Sequence, residues 1–187
     1  MFKLTAALSM CIVSTPVLAH SGHALISAQA GFLHPFSGFD HLLVMVAVGL
    51  WAGHIGGNAR FQLPLTFAIV MTVGAVIGVQ GWVLPSLELW LTVSVLAMGL
   101  VIALQAPIAR PLQFGLVSGF ALLHGLAHGS ELAGQNDLAT GAGMLLATLL
   151  LHIAGLALTR GRLALASSMQ RGLGGVIAAS GAWLLIA

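Results

Sequence analysis

The chain has 187 residues and a net charge of +2; 59% of its residues are hydrophobic and only 5% are charged. Soluble domains carry about a quarter charged residues, so a globule that faces water on all sides is excluded, and six basic residues are too few for a nucleic-acid-binding surface. The 24 glycines and a mean hydropathy of +1.07 favour a helical membrane protein, in which glycine allows helices to pack closely.

Residues 1–19 have the pattern of a secretory signal peptide. Lys3 supplies the positive charge before an apolar stretch, and small residues form a cleavage site that ends at Ala19. Cleavage there predicts a mature chain that begins at His20; the alternative is a retained N-terminal helix. Cys11 lies within this segment and is the one cysteine, so the mature chain is predicted to lack disulfides and thiolate metal ligands.

Residues 20–187 are predicted to form a single all-α domain with six transmembrane helices. A span needs about 20 apolar residues; four segments reach or approach this length, and two others are interrupted by polar residues. Four pairs of glycines spaced four residues apart predict close contacts between these helices. The predicted spans are Leu42–Ala52 with Asp40 and His41 added, Leu63–Val79, Leu87–Leu104, Phe114–Leu132, Leu138–Leu158 and Leu173–Ile186, and the glycine pairs are Gly49/Gly53, Gly74/Gly78, Gly115/Gly119 and Gly125/Gly129.

The charged residues predict the orientation of these spans. With the mature N-terminus outside, every arginine falls in an inner loop and every acid falls at or near an outer helix end, as the positive-inside rule requires. This predicts six spans with both ends of the mature chain on the outer side of the membrane. The arginines are Arg60, Arg110, Arg160, Arg162 and Arg171; the acids are Asp40, Glu88, Glu131 and Asp137.

A first cluster of metal-ligating side chains, comprising His34, Asp40 and His41, stands at the entry to the first span. Pro35 and Gly38 favour an irregular chain path there, and Met45 follows His41 by four residues on the same helix face. We therefore expect two imidazoles, a carboxylate and a thioether to converge near the outer surface. The alternative for Asp40 is a helix cap.

A second cluster, comprising His124, His128 and Glu131, lies on one stripe of the fourth span. Their spacing of i, i+4 and i+7 places all three on one helix face. His124 is predicted to lie about 10 Å deeper than Glu131, so both clusters fall in the outer half of the membrane. Burial of ionisable groups there is costly and marks a pathway or site; the alternative for the histidines is a hydrogen bond between helices.

Four other histidines have separate interpretations. His152, deep in the fifth span, is either an exit-side ligand or a packing hydrogen bond, and His54 is expected at an inner helix end. After cleavage His20 could chelate a metal through its amine and imidazole, with His23 nearby. Imidazole and carboxylate ligands suit borderline divalent cations such as Ni(II), Co(II) or Zn(II).

These motifs resemble those of the HupE/UreJ family of nickel permeases over nearly the whole mature chain. The first motif is similar to, but one residue longer than, the H-x4-D-H signature of a larger nickel/cobalt transporter family. The resemblance implies a secondary permease of the bacterial inner membrane, with both termini on the periplasmic side. It would take up Ni(II), or in some members Co(II), for hydrogenase or urease maturation, with no permanently bound cofactor. The motifs are H-P-x-x-G-x-D-H-x-x-x-M-x-x-V-G from His34, H-G-x-A-H-G-x-E from His124 and A-T-x-x-L-H-x-x-G from Ala147.

The leading hypothesis is therefore transport. The first cluster would capture the hydrated ion, the second cluster would receive it as ligands replace water, and the ion would leave past His152. The alternative is a membrane-embedded zinc hydrolase that uses Asp40, His41 and the second cluster; a bis-histidine haem protein fits less well. The predicted partners are a divalent metal ion and the lipid bilayer, without nucleic acid, and no oligomeric state follows from the sequence.

Overall fold

The computed structural model describes residues 28–132 and 138–187, which form seven α-helices and no strand. The predicted all-α class is thus confirmed. The signal peptide, His20, His23 and Asp137 lie outside the described residues. The helices are α1 (Ala28–Ser37), α2 (Phe39–Ile55), α3 (Ala59–Val79), α4 (Leu87–Leu104), α5 (Arg110–Glu131), α6 (Leu138–Ala157) and α7 (Ser167–Leu184), with a short 3₁₀ turn at Gly161–Leu163 between the last two.

Length and composition allow three described helices, α3, α4 and α6, to cross a membrane. Helices α1 and α2 would together make a fourth crossing element, although they are bent by 88° at their junction. Helix α2 alone has 17 residues, and α5 and α7 carry more polar side chains than the other predicted spans. The chain is a multi-pass membrane protein, and its six-span arrangement stays a prediction.

Helix α2 lies at the centre of the bundle. Nine of its residues are buried, and it contacts α3, α4, α6 and α7 as well as α1. By contrast, α3 exposes large apolar side chains along its outer face, including Leu65, Ile69 and Val76. An apolar outer face around a buried helix is the arrangement expected of a bundle whose solvent is lipid.

The chain bends sharply at Gly38, between α1 and α2. The sequence predicted an irregular entry around Pro35 and Gly38, but Pro35 lies within helix α1 and the break is confined to Gly38, whose backbone is extended. A Cβ atom on Gly38 would stand 2.9 Å from His41 Nδ1 and 3.2 Å from Asp40 Oδ1. Glycine is therefore needed here because the Asp40 and His41 side chains occupy the space beside the bend.

Three of the four predicted glycine pairs make close helix contacts. Gly74/Gly78 on α3 face Gly125/Gly129 on α5, and Gly49/Gly53 on α2 face α6. The prediction was wrong for Gly115/Gly119, where an added Cβ would meet nothing within 4 Å. Spacing alone marks a surface that another helix can approach, but it does not say whether one does.

Two arginine hydrogen bonds join neighbouring helix ends at the same end of the bundle. Arg110, which begins α5, donates to Gln62 near the start of α3 at 2.5 Å. Arg171 in α7 donates to the carbonyl of Ala103 near the end of α4 at 3.0 Å. This places the basic loops opposite the end at which α1 and the last turn of α5 meet.

Gly125→Ala is expected to destabilise the bundle, because the added methyl group would overlap the carbonyl oxygen of Met71. Such overpacking costs about 1–3 kcal/mol. Gly119→Ala is the matched control and is expected to keep or slightly raise the melting temperature, since alanine favours helix. Thermal denaturation of both detergent-purified variants measures the difference; equal melting temperatures would contradict the α3–α5 contact described above.

Candidate metal centre

The two predicted clusters meet where the α1–α2 bend faces the last turns of α5. The His41 ring lies 4.5 Å from the His128 ring and 4.8 Å from the His124 ring, centroid to centroid. The His34 ring lies 5.2 Å from the His128 ring. The two predicted clusters therefore lie next to each other in the structure.

The more exposed part of this centre, here named the outer site, consists of His34, His128 and Glu131. Their potential ligand atoms all lie within 4.8 Å of one another. His34 Nε2 is 2.7 Å from Glu131 Oε2, and His128 Nδ1 is 3.9 Å from the same oxygen. The side chains of His34 and Glu131 are 31% and 49% exposed, whereas that of His128 is 2% exposed. The outer site thus opens at the surface and continues inward at His128.

Asp40 fixes the tautomer of His41. The Nδ1–H group of His41 donates to Asp40 Oδ1 at 2.8 Å, and the backbone N–H of His41 donates to the same oxygen at 2.8 Å. Since Nδ1 carries the proton in the neutral ring, Nε2 holds a lone pair. That nitrogen is buried and has no hydrogen-bond partner among the described residues.

Ser94 on α4 fixes the tautomer of His124 in the same way. The Ser94 hydroxyl donates to the carbonyl of Leu91 at 2.6 Å, and its oxygen lies 3.0 Å from His124 Nε2. Because the hydroxyl proton is already used, Nε2–H of His124 donates to Ser94 and Nδ1 holds the lone pair. Sequence reasoning missed Ser94, although a serine in the middle of an otherwise apolar helix was a signal.

Three buried histidines, here named the imidazole triad, have ring nitrogens without hydrogen-bond partners among the described residues. They are His41, His124 and His128. His124 Nδ1 and both ring nitrogens of His128 have no hydrogen-bond partner within residues 28–132 and 138–187. Each such buried polar group costs about 1–3 kcal/mol. One ring nitrogen of a neutral His128 carries a proton and the other holds a lone pair, so each ring of the triad can offer one lone pair to a borderline cation. The ligand atoms that lie within 4.8 Å of one another, close enough to share one ion, are those of the outer site.

Met45 and His152 lie deeper, away from the imidazole triad. The sequence placed Met45 beside the first cluster, but its sulfur lies 3.4 Å from the hydroxyl of Thr148 on α6. His152 is buried, and its Nδ1 lies 2.7 Å from the backbone carbonyl of Met45. His54, expected at an inner helix end, lies at the end of α2 with Nδ1 3.2 Å from Gln170 Oε1.

The fold and this centre define a helical membrane protein with a cluster of buried imidazoles beside partly exposed carboxylates. The family model described as HupE / UreJ protein matches residues 8–184. A relative named Protein HupE, from Rhizobium leguminosarum bv. viciae, is 40% identical over 98% of this chain and 97% of its own length. The chain belongs to the HupE/UreJ family, as its motifs predicted, which supports a role connected with nickel or cobalt transport. No solved structure matches the chain significantly.

Asp40→Asn is expected to weaken metal binding by about 10–100-fold, the usual effect of losing the partner that orients a ligating histidine. An amide oriented with its NH₂ group toward His41 would leave the imidazole in the wrong tautomer. Glu88→Gln, at an acid in the first turn of α4, is the matched control. Isothermal titration of purified protein with Ni(II) measures both affinities, and equal losses in the two variants would contradict the orienting role of Asp40.

Proposed function

We propose that the protein is a secondary permease that imports Ni(II), with Co(II) as the second candidate ion, for the maturation of enzymes such as hydrogenase or urease. The observation that carries this proposal is the imidazole triad, whose buried acceptor nitrogens lack partners among the described residues. A resident structural metal would need a closed shell of ligands. Here the centre instead begins at exposed side chains of the outer site.

The proposed topology has six spans and both termini on the periplasmic side of the inner membrane. The gathering of arginine-bearing helix ends at one end of the bundle supports this orientation, because basic residues remain on the cytoplasmic side. The outer site then faces the periplasm. Helices α5 and α7 would cross the membrane despite their polar residues, because α5 turns its buried histidines toward the bundle interior.

The ion would enter through the outer site and move to the imidazole triad. His34 and Glu131 are exposed enough to meet a hydrated ion, and the negative carboxylate favours its capture. His128 belongs to both sites and could hold the ion while other ligands exchange. Asp40 would act through His41, whose Nδ1 it binds. His20 and His23 are proposed to assist capture at the mouth.

Transport requires that no single site holds the ion too strongly. Because His128 belongs to both sites, the ion could exchange the other ligands one at a time and would never have to leave all of them at once. Such stepwise exchange would keep binding at each site weak enough for transport. The zinc hydrolase alternative is not favoured, because the HupE/UreJ family is a transporter family.

His41→Ala and His128→Ala are each expected to reduce cellular uptake of radiolabelled nickel to the background of cells without the protein. Each substitution removes an imidazole from the centre of the triad. His54→Ala is the matched control, because His54 is bonded to Gln170 away from the triad, and it should retain uptake. Immunoblots of membranes confirm equal amounts of protein; wild-type uptake in both triad variants would refute the proposed pathway.

Competing ions are expected to lower nickel uptake according to their preference for imidazole. A tenfold excess of Co(II) should compete, whereas the same excess of Mg(II) should not, since Mg(II) prefers oxygen ligands and keeps its water. The measurement is initial uptake of radiolabelled nickel with each competitor. Equal inhibition by Mg(II) would indicate a site dominated by carboxylate rather than by imidazole.

A further inference from the structure

His152 on α6 is oriented as a metal ligand, although it lies outside the outer site and the triad. A backbone carbonyl can only accept, so Nδ1–H of His152 donates to the carbonyl of Met45 at 2.7 Å. Nε2 therefore holds the lone pair, and this buried nitrogen has no hydrogen-bond partner in the described part of the chain. Ligating histidines are commonly fixed in this manner, by donating the other ring N–H to a carbonyl.

Two thioether sulfurs lie close to the same stripe of α6. Thr148 precedes His152 by one helical turn, and its hydroxyl oxygen is 3.4 Å from Met45 Sδ and 3.8 Å from Met71 Sδ. Met45 and Met71 are 0% and 4% exposed, and Thr148 is fully buried. Three helices, α2, α3 and α6, thus place two sulfurs beside a hydroxyl group that lies one helical turn before His152.

The ring of Phe67 connects this region with the imidazole triad. Its centroid is 5.0 Å from the His152 ring and 6.1 Å from the His124 ring. Phe67 is fully buried. His152 lies 14 residues after the start of α6, about 21 Å along that helix. His124 lies seven residues before the end of α5, about 10 Å from that end. The apolar ring therefore stands between a shallower and a deeper group of ligands.

Glycine holds α2 and α6 close enough for the Met45–His152 hydrogen bond. A Cβ on Gly49 would overlap the carbonyl oxygen of His152, and a Cβ on Gly155 would overlap that of Val46. Any larger residue at either position would push the two helices apart. The orientation of His152 is thus a consequence of helix packing rather than of a chance rotamer.

We propose that His152, Met45 and Met71 form a second cation site, here named the thioether site, which receives the transported ion after it passes Phe67. This inference rests on the proposed transport function and extends it. One imidazole and two thioethers make a neutral, softer ligand set than the outer site. Mg(II) and Ca(II) require oxygen ligands, so the thioether site would reject them; its imidazole suits Ni(II) or Co(II), whereas its sulfurs suit softer cations. The absence of a carboxylate among its ligands favours release.

The first test counts bound ions. Purified full-length protein in detergent is equilibrated with Co(II), and the bound metal is measured after dialysis. Wild type is expected to bind two ions per chain and His152→Ala one. The double variant Met45→Leu with Met71→Leu preserves side-chain volume and the Met45 carbonyl, and it should also bind one. His54→Ala, the matched histidine control, should bind two.

X-ray absorption at the cobalt edge identifies the ligands in the same samples. Wild type should show a sulfur shell besides the nitrogen and oxygen shell, and the double Met→Leu variant should lose the sulfur. Circular dichroism and gel filtration select variants that retain the wild-type fold. One bound ion in wild type, two ions in His152→Ala, or no sulfur shell in wild type would each overturn the thioether site.

Uptake distinguishes failure of this inference from failure of the proposed function. If transport is correct, His128→Ala loses uptake. If the thioether site is also correct, uptake by the double Met→Leu variant falls at least about tenfold, because loss of ligands costs no less than loss of the groups that support them. Loss in His128→Ala with wild-type uptake in the double variant would overturn the thioether site alone. Wild-type uptake in His41→Ala and His128→Ala would overturn the transport function itself.

Discussion

The direction in which each buried imidazole donates its proton is the constraint on which the rest of the structure depends. Each of three histidines gives its N–H to a fixed acceptor: His41 to Asp40, His124 to Ser94 and His152 to a backbone carbonyl. The remaining nitrogen is in every case an unshared acceptor, buried and without a hydrogen-bond partner among the described residues. An interior with buried imidazole lone pairs and few hydrogen-bond donors is suited to coordinate a cation.

Helix packing makes this orientation possible, and glycine makes the packing possible. Gly125 and Gly129 bring α5 against α3, and Gly49 and Gly155 bring α2 against α6. Lipid supplies no hydrophobic force between helices, so such close contacts must hold the bundle. Gly38 contributes in another way, because it allows the chain to bend between α1 and α2 beside the Asp40–His41 pair. The glycines therefore determine where the histidine side chains lie.

The convergence of the two clusters could be predicted from the sequence because the spacing of their residues has a direct geometric meaning. A separation of i, i+4 and i+7 places His124, His128 and Glu131 on one helix face wherever the helix lies, and the charge distribution then set both clusters at one depth. Three other features depend instead on contacts between distant segments of the chain. They are helix α1, the contact of Ser94 with His124, and the position of Phe67. In an apolar chain a phenylalanine that touches two histidines looks like any other core residue.

Exposure and charge decline together from the outer site inward, which would give the proposed pathway a direction. Glu131 is 49% exposed, and its negative carboxylate would attract a hydrated ion. The triad is buried, and its one carboxylate, Asp40, acts through His41. The thioether site has no carboxylate among its ligands. Each step of the proposed pathway would therefore replace a harder ligand by a softer one, so the ion would have to give up its water to advance. Strongly hydrated cations would be penalised increasingly with depth, and selectivity would accumulate without tight binding at any one site.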